Sequence, residues 1–188
     1  MMDGLTPGFA SPAVDAAHAF RAVLDTMAHP GRLVTLDGPA APVPCSQAAC
    51  VALLTLADAT TPLHLAGAHD CKGMRDWVAF HLGAPLVGRS EAVFALGTWH
   101  ALGPLAAYPQ GVPDYPDRSA TLIVEMADLQ ANGTRLTGPG IEDAAYLSLP
   151  DTDALRANAS RFPLGLDFLF THGAQLAALP RTTKLGDG

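Results

Sequence analysis

The chain has 188 residues, of which 49% are apolar and only 15% charged, and it carries a net charge of −7 at neutral pH. That length suits one domain, residues 1–188, with a sizeable core, and so few charges suggest that part of the surface is covered in an oligomer or complex. With two lysines, Lys72 and Lys184, no basic stripe exists to follow a nucleic-acid backbone or hold an anionic membrane.

Asp3, with no basic segment leading into an apolar block, predicts no signal peptide. No apolar run approaches the roughly 18 residues of a membrane span. Cys45, Cys50 and Cys71 lack framework spacing and read as reduced thiols, so a cytoplasmic location is expected.

Ser11-Pro12 offers a helix start. Ala17, Phe20, Leu24 and Met27 then recur at helical spacing and predict the buried face of a helix ending before Pro30-Gly31, with Arg21 at its edge. Residues 32–36 read as a strand and 39–44 as a Pro-rich loop. Ser46 caps a second helix reaching about Asp58, apolar all round from Cys50 to Ala57 and therefore buried. A strand over 62–66 follows. Asp70 is the expected cap of a third helix in which Met74, Trp77, Val78 and His81 share a face, ended by Gly83 and Pro85.

Short strands are expected over 85–87 and 92–96, a helical turn within 99–108, and loop over 110–118, which Pro113 and Pro116 interrupt. Residues 120–129 form a strong strand, and Asn132-Gly133 predicts a hairpin into 134–136. Gly138-Pro139-Gly140 breaks the chain, and Asp151 or Thr152 caps a last helix stopping before Pro163.

The stretch from Ser160 to Leu185 holds the most apolar short run, Leu164 to Phe170. Leu166, Phe168 and Phe170 share one strand face; Asp167, Leu169 and Thr171 share the other. Apolar residues on both faces predict a central strand covered on both sides. His172-Gly173 turns it into a returning strand over 175–179. Strands interleaved with helices indicate an α/β domain with a mixed sheet between helical layers.

That hairpin delivers Arg181, Thr182 and Thr183 to the end of a buried strand. A guanidinium fork beside hydroxyls suits a carboxylate or phosphate, so these three, with Asp167 and Arg21, are the candidate anion site. The alternative is a solvated arginine closing a strand. His64, His69, Asp70 and Cys71 resemble a metal cluster on paper, but no pair has ligand spacing, and no metal is expected. His81 reads as a core histidine rather than a base. Thr137 to Gly140 is similar to a phosphate loop, though it lacks the lysine and the longer glycine spacing, and a turn accounts for it. Asp58 to Pro62 fits a cap-and-turn, and Asp58 and Thr61 would also suit a sugar. No nucleophile elbow or catalytic cysteine context occurs.

Several segments together resemble a known family. DAAHAFRAVLDTMAHPG (15–31), LLTLAD followed by TP (53–58, 61–62), ATLIVE (120–125), LTGPGI (136–141), FPLGLD (162–167) and LPRTT (179–183) fall in the order of PhnH, the H subunit of the carbon–phosphorus lyase core complex. The resemblance spans essentially the whole chain and implies a reduced relative of the pyridoxal-phosphate-dependent transferase fold that forms homodimers. It implies partnership with the G, I and J subunits, the J subunit breaking the C–P bond by iron–sulfur radical chemistry. It carries no established catalytic residues.

No cofactor is expected in this chain. Lys72 begins a helix and Lys184 lies in the tail, poor settings for a Schiff base, and no cysteine triad for a cluster exists. The leading expectation is a non-autonomous subunit that helps couple an alkylphosphonate to the ribose of ATP, with a phosphonate or nucleotide as a possible ligand. The alternatives are an autonomous transferase or hydrolase using the Arg181 pocket, and a purely structural adaptor.

Overall fold

The computed structural model describes residues 8–186, so Asp3 and the reading attached to it lie outside the described residues. In chain order the elements are α1 (Pro12–Ala28), β1 (Val34–Thr35), α2 (Gln47–Leu56), β2 (Leu63–Leu65), α3 (Lys72–His81), β3 (Phe94–Thr98) and α4 (Trp99–Leu102). Then follow β4 (Gln110–Val112), β5 (Tyr115–Ser119), β6 (Thr121–Glu125), β7 (Thr134–Thr137), β8 (Ala145–Leu147), α5 (Thr152–Ala159), β9 (Asp167–His172), β10 (Gln175–Leu179) and β11 (Lys184–Leu185). Six strands make a mixed sheet in the order β1-β10-β9-β6-β3-β2. β2, β3, β6 and β9 run parallel; β10 and β1 are antiparallel additions.

The alternation in β6 and β9 divides the core. Ile123 and Leu169 face a cluster built from α1, α2 and α3, while Leu122, Val124, Phe168 and Phe170 face a second cluster. That second cluster draws Leu102 from α4, Leu155 from α5, and Leu136 and Leu147 from a small sheet of β11, β7 and β8. β9 is therefore the two-sided central strand that its apolar run predicts. Among the described residues no helix is long and apolar enough to cross a membrane.

α2 packs against α1 and against strands β9 and β10. Ser46 accepts a hydrogen bond from Ala49 N at 3.2 Å, so the predicted cap is present. Ala48, Ala49, Cys50, Val51, Ala52 and Leu53 are all buried, as the unbroken apolar sequence requires.

Four local expectations change. On α1 the buried residues are Ala19, Val23 and Thr26, whereas Phe20 and Leu24 are 49% and 56% exposed. The alanine-rich flank of α2 selects small side chains for close approach, and Thr26 buries its hydroxyl by donating to Val23 O at 2.8 Å. Asp70 does not cap α3. Its carboxylate pairs with Arg75, and Cys71 occupies the cap position. Residues 110–118 are not loop, because β4 and β5 pair as a hairpin; Pro113 falls in its turn and Pro116 lies in the ribbon, which has no third strand.

The fourth change is Asn132-Gly133. It does not fold β6 back on β7, because β6 is enclosed by β3 and β9 while β7 joins β8 and β11. Both neighbours of β6 are already taken, so the turn redirects the chain into the second sheet.

Gly140 shows how closely the layers meet. Its φ is +80°, and a Cβ there would stand 1.8 Å from the Ala28 carbonyl oxygen. Gly73, within α3, has nothing within 4 Å of a Cβ. Gly140→Ala is expected to lower unfolding free energy by at least about 3 kcal/mol. Gly73→Ala should raise it by about 0.5–1 kcal/mol. Urea unfolding of both variants checks the pair.

Candidate functional site

Arg181 follows β10 after Pro180, and Asp167 begins β9, so the returning hairpin brings them together. Arg181 Nε donates to Asp167 Oδ1 at 3.1 Å and Nη2 donates to Oδ2 at 2.5 Å. Nη1 donates to the Pro116 carbonyl at 2.8 Å, and Nη2 also donates to Ser119 Oγ. The Arg181 backbone N–H reaches Asp167 Oδ1 as well, at 2.8 Å. Both side chains are largely buried, at 12% and 16% exposure. The guanidinium thus ties β9, the exit of β10 and the β4–β5 hairpin into one corner, and one Nη1–H is left over.

Beside that corner is a cavity of about 540 Å³, lined by Gly138, Pro139, Ala159, Phe162, Arg181, Thr182, Thr183 and Lys184. Thr183 is 1% exposed, and its Oγ1 has no hydrogen-bond partner. Gly138 is needed where it stands, since φ is +128° and a Cβ would come within 3.2 Å of Thr182 O. The segment 137–140 is a turn, as its composition indicates, yet it forms a wall of this cavity. Arg181, Thr182 and Thr183 line it and Asp167 grips Arg181 from behind. Arg21 is elsewhere, on the exposed surface of α1.

This corner sits at the amino ends of β6 and β9. Open α/β sheets more often bind ligands at the carboxyl ends of their parallel strands, and a second polar group gathers there. Glu125 ends β6 and accepts the backbone N–H of Ser46 at 2.7 Å, before the first turn of α2. His69, on a single helical turn after β2, places Nε2 3.9 Å from Glu125 Oε1. The imidazole is 3% exposed, and neither ring nitrogen has a well-aligned partner. Burial holds its pKa below the ordinary histidine range, outweighing the charge of Glu125 and the Ala66 backbone contact. Sequence reading considered His69 only as a metal ligand and passed over Glu125. The signal was a carboxylate closing the apolar strand TLIV.

The other sequence candidates separate. His64 lies in β2 with Nδ1 3.0 Å from Val87 O, and Asp70 pairs with Arg75. Among the described residues no three His, Cys, Asp or Glu groups are placed to hold a metal ion. Asp58 folds back on its own turn, where Oδ1 accepts from Thr60 N, Thr60 Oγ1 and Thr61 Oγ1. Those bonds hold its carboxyl below the usual range. His81 is half-buried against Trp77 and Phe80.

A family model described as bacterial phosphonate metabolism protein (PhnH) matches residues 7–186. The chain is 37% identical over 186 residues to the alpha-D-ribose 1-methylphosphonate 5-triphosphate synthase subunit PhnH of Rhizobium meliloti (strain 1021), covering 94% of this chain and 93% of that protein. It is 31% identical over 180 residues to HtxG of Stutzerimonas stutzeri, named provisionally as a C-P lyase subunit, covering 89% and 84%.

Removing one partner of a buried pair leaves the other charge without compensation. Arg181→Ala should therefore cost about 3 kcal/mol of folding stability, and Arg181→Lys a smaller part because it loses the two-pronged geometry. Denaturant unfolding decides this, and an unchanged midpoint in both would free Arg181 from a bracing role. His69 binds its proton more weakly when folded than unfolded. Stability should fall as pH drops below about 6.5, because only the unfolded chain then gains that proton. His69→Gln should flatten the slope, as read by urea midpoints from pH 5 to 7.5.

Proposed function

The chain belongs to the PhnH family of bacterial phosphonate metabolism proteins, and we propose that it is a non-autonomous subunit of the carbon–phosphorus lyase complex, needed to couple an alkylphosphonate to the ribose of ATP before the C–P bond is cleaved. The observation that carries this reading is 37% and 31% identity, along nearly the whole chain, to relatives that are both named as subunits in this chemistry. The G, I and J subunits are its partners, with C–P cleavage assigned to the J subunit. Isolated from them, the chain forms a homodimer. Both associations take place in the cytoplasm.

The surface of α1 supports association. Val14, Phe20 and Leu24 are about half exposed, beside exposed Ala17, in a chain with few charges to keep such a face in water. The mixed sheet between helical layers is compatible with a reduced pyridoxal-phosphate-transferase-like fold working without that cofactor. Lys72 is a surface residue paired with Asp76 at 2.5 Å, and Lys184 belongs to the short strand β11. Neither position presents an amine in an enclosed, desolvated pocket.

The anion site centres on the cavity beside Arg181. Thr182, Thr183 and Lys184 supply donors to a phosphonate or phosphate oxygen, and the spare Nη1–H of Arg181 adds one more. Asp167 sets the orientation of the guanidinium. Arg21 takes part through α1 in association rather than in the pocket.

Co-expression with the G, I and J subunits and purification through one of them tests the reading. Stoichiometric recovery of this chain is expected, together with loss of growth on a phosphonate as sole phosphorus source when it is removed. Leu24→Glu should leave the thermal midpoint within about 2 °C, because surface changes stay within about 0.5 kcal/mol, yet shift the isolated protein toward monomer in light scattering. Turnover of a phosphonate or nucleotide by the isolated chain would favour an autonomous enzyme instead.

A further inference from the structure

Cys45 lies on the loop entering α2, and Cys50 lies within its first turn and a half. The Cys50 thiol donates to Cys45 Sγ at 3.2 Å, while the Cys45 thiol donates to the Ser46 carbonyl at 3.5 Å. A disulfide needs about 2.05 Å between sulfurs, so closure requires about 1 Å of approach, which two χ1 rotations and a flexing loop can supply. Cys45 is 8% exposed and Cys50 fully enclosed. A buried cysteine commonly serves as a small apolar side chain, and that would account for Cys50 alone. It does not account for a second sulfur aimed at the first, at the mouth of the same turn and close to the Glu125 carboxylate.

We infer that Cys45 and Cys50 form a reversible dithiol–disulfide modification site at the start of α2, oxidised by a small hydroperoxide that enters at Cys45. Cys45 sulfur attacks one peroxide oxygen. The O–O bond breaks, Cys45 becomes a sulfenic acid, and the released oxygen leaves as water with the thiol proton. Cys50 sulfur then attacks Cys45 sulfur, the S–S bond forms, and the S–O bond breaks with loss of a second water. Two thiols and one hydrogen peroxide give one disulfide and two waters, the two sulfurs supplying both electrons. A dithiol reductant reverses the change by exchange.

The surroundings make the pair slow and guarded. The contact with Cys50, burial and the negative charge of Glu125 hold the Cys45 thiol well above the usual thiol range, so little thiolate exists at neutral pH. Glu125 is the charged group facing Cys45, and His69 beyond it is buried, with its pKa lowered. Oxidation would shift Ser46, whose backbone N–H holds Glu125, and so would be felt at the carboxyl edge of the sheet. The third thiol, Cys71, is half-buried, with its sulfur 4.0 Å from the Val43 carbonyl, and has no sulfur partner.

The full chain, purified reduced, is treated with hydrogen peroxide, alkylated, digested without reductant and fragmented in the mass spectrometer. Loss of two hydrogens between Cys45 and Cys50 is expected, with Cys71 alkylated and dithiothreitol restoring all three thiols. Glu125→Gln keeps the acceptor for Ser46 but removes the charge that helps hold the Cys45 thiol up, and should speed the reaction at pH 7. Cys50→Ala should stop at a Cys45 sulfenic acid that dimedone traps. A link involving Cys71, or unmodified Cys45 and Cys50 after Cys71 has been oxidised, overturns the proposal.

Discussion

Strands β6 and β9, flanked by β3 and β10, bury both of their faces, and the helices and the small second sheet cover one side or the other. Ile123 and Leu169 point toward α1, α2 and α3, and Leu122, Val124, Phe168 and Phe170 point away. Parallel strands cannot be joined by tight turns, so the crossovers between them become the covering layers. α2 makes the longest traverse, from β1 at one edge to β2 at the other. Its alanines let it pack closely against both α1 and the sheet, and its apolar circumference is the direct result. The same compactness explains why the polar groups concentrate at the two ends of the strands.

Those ends are chemically unlike. At the amino ends, Arg181 is drawn inward by Asp167, a carbonyl and a hydroxyl, and acts first as a brace. Thr182 and Thr183 next to it line a cavity, and the Thr183 hydroxyl is enclosed without a hydrogen-bond partner. At the carboxyl ends, Glu125, His69 and two thiols are enclosed together against the start of α2. The backbone N–H of Ser46 donates to Glu125 there, with His69 Nε2 3.9 Å from the same carboxylate oxygen.

Much of this was legible from residue order. The face alternation around Leu169, the Ser46 cap and the all-round apolar character of α2 are local properties, decided within a few residues. The association of Arg181, Thr182 and Thr183 followed from adjacency alone. What failed depended on neighbours far along the chain. Phe20 and Leu24 look like core at helical spacing, but the face of α1 packed on α2 and β10 buries Ala19, Val23 and Thr26 instead. Asn132-Gly133 carries a hairpin signature, but β6 has no free edge to receive β7. The Asp167–Arg181 bond could not be read without the register of β9 on β10. Glu125 and His69, separated in sequence, meet only because β6 and the turn after β2 end at the same edge.

The edge strand β1 has a consequence for how the protein is made. Among the described residues it pairs with β10 alone, Val34 opposite Leu176, so an early segment waits for a late one. During synthesis β1, and the α1 surface resting on β10, have no sheet to join until nearly the entire chain has left the ribosome. Until then α1 and α2 must protect each other's apolar faces. A chain stopped before β10 would lose the anchorage of its beginning along with its end, and would present those faces to whatever else is in solution.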